Sequence, residues 1–141
     1  MIRPAKKSES EELTRIILQY FPYTKATVEK VEKRLKSEKF LLFVDKAEKL
    51  RGFFELEFLE NECRLNGIAV YPEFRRKGIG KALMERALEE VRKRKCLRIF
   101  LLVRPDNKEA IELYEQFDFK EKGFWPKLVD GKQVLEMELK V

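Results

Sequence analysis

The sequence predicts a single α/β domain over residues 1–141, built in α and β layers. A mixed, mostly antiparallel central sheet of about six to seven strands is flanked by about four helices. Three observations predict it. The chain is 141 residues long, the length of one domain. Three strand-like runs, Phe40–Asp45, Arg51–Leu59 and Glu62–Val70, follow one another with only short polar turns between them, as in an antiparallel meander. A long amphipathic stretch then separates residues 62–70 from the apolar run Leu97–Val103, a crossover that makes those two strands parallel.

The remaining elements follow in order. Ile2-Arg3 starts a short strand. Ser8-Glu9-Ser10-Glu11 has capping-box spacing and opens a helix that ends near Tyr20. Phe21-Pro22-Tyr23 breaks it, and a second helix runs from about Thr24 or Thr27 to Ser37. Lys77–Lys95 is the clearest helix. Ile79, Leu83, Ala87 and Val91 recur every four residues, and Met84 and Leu88 widen the stripe. Leu97–Val103 is almost unbroken in apolar character, which suits a strand buried on both faces. Asp106, with Glu109 three residues on, is expected to cap a further helix whose stripe is Ala110, Ile111, Leu113, Tyr114 and Phe117. Phe119–Trp125 and Gln133–Val141 read as a closing strand pair around the Asp130-Gly131 turn.

Composition removes several classes of function. Apolar residues make up 44% of the chain, enough for a packed core despite a charged content of 40%. No apolar run reaches the length of a membrane span, and MIRPAKKSESEE has no apolar stretch after its basic residues. Neither a membrane partner nor a signal peptide is expected. Cys63 and Cys96 have no paired spacing, which fits a reduced, cytoplasmic setting and no metal site. The absence of histidine excludes Ser-His and Cys-His triads and argues against zinc.

The net charge of +6 lies within residues 75–95, where nine basic residues stand against three acidic ones. Arg92–Lys95 suits the negative end of a helix dipole. Arg75-Arg76-Lys77 stands at the positive end, where cations are disfavoured unless an anion binds. Gly78-Ile79-Gly80 follows at once. Glycines there let a ligand approach the free N–H groups of a helix start, and a preceding basic turn completes a phosphate cradle. It is not a P-loop: Ala82 follows Gly80-Lys81, and Arg75 occupies the first glycine position. It is not a dinucleotide fingerprint either, since Leu83 stands at the third glycine.

The turn Arg75-Arg76-Lys77-Gly78-Ile79-Gly80 closely resembles the acyl-CoA signature of the GNAT N-acetyltransferase superfamily, Arg/Gln-x-x-Gly-x-Gly/Ala. Ile68-Ala69-Val70-Tyr71-Pro72 before it has the family's look. So does the later Pro105-Asp106-Asn107-x-x-Ala110-x-x-x-Tyr114-x-x-Phe117-x-Phe119, and element order matches from end to end. The resemblance implies a GNAT fold in which the strands at 62–70 and 97–103 splay into a V. It implies transfer of an acetyl group from acetyl-CoA, as co-substrate and without a metal, to a primary amine by direct attack in a ternary complex. The backbone from Arg76 to Lys81 would hold the pyrophosphate, with the side chains of Arg75 and Arg76 nearby. Ile68, Ala69 and Val70 would pair with the pantetheine arm as an added strand does. Asn107 and Ala110 would border that arm, and Tyr114 would protonate the departing thiolate. Glu55 and Glu57, two apart on one strand and so on one face, are the candidates for the base that deprotonates the amine.

The acceptor is a small amine or a peptide or protein amine, and the protein is expected to be a monomer or homodimer. Enzymes that acetylate protein N-termini look most similar. Those of the ribosomal-protein type often carry Leu-Glu-Val-Arg in the strand after the long helix. This chain has Leu101-Leu102-Val103-Arg104 and so lacks that carboxylate. Tyr20, Phe21, Tyr23, Phe124 and Trp125 are either core residues or walls of the acceptor pocket. Two alternatives remain at this stage: a nucleic-acid-binding basic helix, and a non-catalytic CoA-binding regulator on the same fold. Against the first, no aromatics interleave the basic residues, and the glycines have no purpose in it.

Overall fold

Seven strands alternate with four helices in the computed structural model, which describes all 141 residues. The strands are β1 (Ile2–Pro4), β2 (Phe40–Lys46), β3 (Leu50–Leu59), β4 (Glu62–Val70), β5 (Arg98–Val103), β6 (Lys120–Phe124) and β7 (Leu135–Lys140). The helices are α1 (Ser10–Tyr20), α2 (Val28–Lys36), α3 (Ile79–Lys93) and α4 (Lys108–Gln116). One sheet holds all seven strands in the order β1-β2-β3-β4-β5-β7-β6. Only β4 and β5 are parallel, as the α3 crossover requires. No helix is long and apolar enough to cross a membrane.

Alternation along the strands divides the core between the two sheet faces. On one face Leu42, Val44, Leu50 and Phe53 pack against Leu13, Ile16 and Ile17 of α1 and Val31 of α2. On the other, Phe43, Phe54, Leu56, Cys63, Leu65, Ile99 and Leu101 meet the stripe Ile79, Leu83, Met84, Ala87, Leu88 and Val91 of α3. Ala110, Ile111 and Tyr114 of α4 pack on the margin of that second cluster.

Several local expectations are corrected. Ser8 does not cap α1. A single 3-10 turn, Lys7–Glu9, precedes it, and the buried Glu9 carboxylate accepts from the Lys6 N–H at 2.8 Å. Glu9 is drawn inward by two bonds from Arg3, at 2.9 and 2.8 Å. α3 starts at Ile79 rather than Lys77, because Gly78 is its N-cap and has φ 79°, outside helical space. α4 is capped by Asn107, whose side chain accepts from the Ala110 N–H at 3.2 Å, and not by Asp106. Leu97 lies outside β5 and is 61% exposed. Asp130-Gly131 does make a tight turn, with φ 51° and 72°, but it closes only the Val129–Lys132 bridge at the tip of a longer connection. β6 and β7 begin to pair at Phe124 and Leu135.

Candidate active site

β4 and β5 pair at three positions only, Glu62 with Arg98, Cys63 with Ile99 and Arg64 with Phe100. Past Arg64, β4 continues along β3 to Val70, while β5 continues along β7 to Val103. The two strands therefore open into a V. Its closed end is clamped by Arg98, which bonds Glu62 of β4 at 2.8 Å and Glu136 and Glu138 of β7 at 2.7 and 2.9 Å. Burial opposes the Arg98 charge, but these carboxylates more than offset it and hold its pKa above the usual arginine range.

The open end of the V is a cleft of about 1000 Å³. One wall is the end of β4, with Ile68, Ala69 and Val70. Its mouth is the turn into α3, where Arg75, Arg76, Gly78, Ile79, Gly80 and Lys81 line it. Asn107, Ala110 and Tyr114 of α4 form the opposite wall. Helical spacing places these three on one side of α4, one turn apart. Of the residues expected at the cofactor site, only Lys77 lies outside the lining. Its Nζ sits 5.7 Å from the centre of the Phe74 ring.

The mouth of the cleft is electrostatically unbalanced. At the far end of α3, the buried Glu90 accepts from Arg86, Lys93 and Arg94. Burial pushes the Glu90 carboxyl up, but these cations bring it below the usual range. Arg75, Arg76, Lys77 and Lys81 have no such carboxylate. Arg75 bonds only the Val70 carbonyl, at 3.0 Å, and the Tyr20 hydroxyl, at 3.4 Å. Four cations without a counter-ion thus surround a helix N-terminus, where backbone dipoles add further positive potential. Arg76 also holds φ 62°, uncommon for a side chain with a Cβ. A Cβ built on Gly80 would meet nothing nearer than a Val70 methyl at 3.9 Å. No contact within the protein requires glycine there.

Tyr114 is half-buried, with its ring 5.9 Å from that of Phe119. Its hydroxyl bonds no protein group, and Tyr114 is among the residues that line the cleft. Burial, helped by the nearby Tyr23, pushes its pKa up to about 12. The side-chain oxygen of Asn107 is used in capping α4, which leaves its amide N–H groups for a ligand.

Glu55 and Glu57 share a face, as both accept from the Asn66 amide, at 2.6 and 3.1 Å. Neither lines the cleft. Glu55 is buried and held by Arg34 through both oxygens, at 3.0 and 2.8 Å. Glu57 is held more loosely, with an exposed Lys39 at 3.3 Å. Asn66 is the extra residue of a β-bulge, since Glu55 pairs with Gly67 while Leu56 pairs with Leu65. Tyr20 and Phe21 line the cleft, whereas Trp125 stacks on Phe100 with centroids 6.0 Å apart.

Sequence reasoning missed Pro72, Phe74, Glu109, Glu112, Leu113 and Gln116 in the lining. The α4 residues among them flank the Asn107–Ala110–Tyr114 side and follow from helical spacing. Nothing in the sequence marks Phe74 beyond its place before the basic turn.

The profile of the acetyltransferase (GNAT) family matches residues 10–119. The chain belongs to the GNAT family. It is 35% identical over 89 residues to the [ribosomal protein bS18]-alanine N-acetyltransferase of Escherichia coli K12, a match covering 60% of this chain and 60% of that protein. It is 43% identical over 60 residues to an uncharacterized N-acetyltransferase, MJ1207, of Methanocaldococcus jannaschii, covering 43% of this chain and 26% of that protein. The matches thus span less than two thirds of these curated relatives. Among solved structures, the Escherichia coli ribosomal-protein-S18-alanine N-acetyltransferase superposes with a TM-score of 0.83 at 26% identity, covering 100% of this chain and 93% of that one. Ard1 from Thermoplasma volcanium superposes at 0.84 with 28% identity, covering 100% and 97%. The GNAT chain therefore has the fold its sequence resemblance implied, V included.

Proposed function

We propose that this GNAT protein transfers an acetyl group from acetyl-CoA to a primary amine in a ternary complex. The observation that carries this reading is the cleft mouth: Arg75, Arg76 and Lys81, without counter-ions, line it around a helix N-terminus whose Gly80 leaves a vacant Cβ position. A pyrophosphate matches that charge and that space. The backbone from Arg76 to Lys81 receives it, and the free edge of β4 at Ile68–Val70 receives the pantetheine amides. Asn107 and Ala110 border the arm, and Tyr114 stands at the thioester end.

The chemistry follows from these positions. A neutral amine attacks the thioester carbonyl carbon, the C–S bond breaks, and coenzyme A departs as a thiolate. Tyr114 carries a proton at every working pH, because its pKa lies near 12. It donates that proton to the sulfur and regains one from solvent. Removal of the amine proton falls to Glu57 acting through water, since Glu57 is more accessible and held only by longer contacts to Asn66 and the exposed Lys39, whereas Glu55 is buried and bonded by Arg34 through both oxygens. A peptide α-amine is the first acceptor to test, as curated relatives are named for an alanine of a ribosomal protein.

A thermal-shift titration with acetyl-CoA, set against an oligonucleotide, tests the reading. A ligand that binds the folded state raises Tm by mass action, by about 2.7 kcal/mol of stability at a hundredfold excess over Kd. Acetyl-CoA is expected to raise Tm and the oligonucleotide to leave it unchanged. The reverse result would favour a nucleic-acid function.

A further inference from the structure

Arg64 is charged, half-buried and without any protein partner. It is the last residue of β4 to pair with β5, so it stands at the apex of the V, opposite Phe100. On its other side it faces Glu57 of β3 in register. Directly opposed residues share a face, so Arg64 lies on the face of Glu57, Asn66 and the α1–α2 layer, away from α3. A cross-strand arginine and glutamate ordinarily pair. Here the Glu57 carboxylate is occupied by Asn66 and Lys39 instead. Arg64 makes no ion pair, and its Nε is buried with no acceptor. The other two such atoms, Asp45 Oδ2 and Arg51 Nε, at least lie 3.1 Å from each other.

The surroundings tie Arg64 to the reacting end. The Tyr23 hydroxyl is pushed up by burial, and the nearby Arg64 charge opposes that push. Tyr23 in turn is close enough to Tyr114 to raise its pKa. The geometry that carries this is the strand register: Arg64 stands at the apex of the V, directly across from Glu57, the proposed base, although neither it nor Tyr23 lines the cleft itself. An arginine without a carboxylate at such a point is a complement to one that arrives with the substrate, because the guanidinium fork matches a carboxylate with two parallel bonds.

We infer that Arg64 is a specificity residue that selects acceptors carrying a carboxylate near the amine. The inference rests on the acetyl-transfer reading and narrows its acceptor. Two sources offer that chemistry, an acidic side chain next to a peptide α-amine and a small amino acid, and the test separates them.

The experiment measures acetylation kinetics of wild type and Arg64→Met with two acceptor pairs. One pair is peptides beginning alanine-aspartate and alanine-asparagine. The other is 4-aminobutyrate and butylamine. Arg64→Met keeps an unbranched apolar stem, and circular dichroism checks its fold. Wild type is expected to show about tenfold lower KM for the acidic member of one pair. That preference should shrink as salt rises. Arg64→Met should remove it, with kcat and the KM for acetyl-CoA unchanged. The pair that shows the preference identifies the source. Equal KM values within both pairs for wild type would overturn the inference and leave acetyl transfer standing, as would a preference that survives Arg64→Met. If no acceptor gains an acetyl group from wild type, both readings fall together.

Discussion

Gly80→Asp separates binding from folding, because the two should move in opposite directions. Gly80 is the second residue of α3, and its Cβ position is open to within 3.9 Å of Val70. The new side chain therefore meets no protein wall. A non-glycine residue in a helix and an acid in its first turn should together stabilise the fold by about 0.5–1 kcal/mol. That corresponds to a rise in Tm of about 1–4 °C. The same carboxylate would face the proposed pyrophosphate. Two unit charges about 5 Å apart repel by about 3 kcal/mol at an effective dielectric constant of about 20, before salt screening. Even with half of that screened, acetyl-CoA affinity falls at least about tenfold, or 1.4 kcal/mol. Calorimetric titration gives the affinity, and scanning calorimetry gives Tm. Gly80→Ala, which adds the Cβ without the charge, should lose less affinity. Unchanged affinity in a folded Gly80→Asp protein would refute the placement of the cradle.

Tyr114→Phe should lower kcat by about 10²–10⁴ while leaving acetyl-CoA affinity nearly intact; turnover within about twofold of wild type would return Tyr114 to a packing role. Because Tyr114 is held near 12, the wild-type rate should show no tyrosine limb below about pH 11, and a limb near pH 10 would contradict that environment. Arg76→Ala should weaken coenzyme A binding more than binding of an unphosphorylated pantetheine fragment, and it should flatten the salt dependence; equal losses would point to folding instead. The Glu9 carboxyl is held down to about 2, first by its bonds from Arg3, with burial opposing. A depressed carboxylate stabilises above its unfolded value, here 4.5, and loses that contribution as pH falls through about 2. Glu9→Gln should cost about 1–3 kcal/mol in denaturant unfolding at pH 7, with the gap to wild type closing between those two pH values.

The helix stripe of α3 and the limits of β4 were legible because burial imposes periodicity on a sequence directly. The basic glycine turn stood out for a different reason. Cations and glycines at the positive end of a helix contradict local propensity, and such contradictions mark sites. What the sequence hid were pairings between distant residues. Nothing local indicates that Glu55 is tied by Arg34, twenty-one residues away, or that Asn66 forms a bulge that ties both glutamates. Nothing in the sequence singles out Arg64, because an unmet charge becomes visible only when the neighbours' partners are known. Helix starts moved by a residue or two for a similar reason. Asp106 and Asn107 are both good caps, and only the backbone at Asn107 brings an oxygen to the Ala110 N–H.

The central claim is that the cleft performs acetyl transfer and does not merely bind a coenzyme. Mass spectrometry of a peptide beginning with alanine, incubated with acetyl-CoA and this protein, tests it most directly. The account predicts one acetyl group on the α-amine, with coenzyme A released in equal amount and both abolished by Gly80→Asp at acetyl-CoA below its new Kd. An acetyl-CoA-stabilised protein that leaves the peptide and a panel of small amines unmodified would contradict it, and would make the cleft a sensor of the coenzyme.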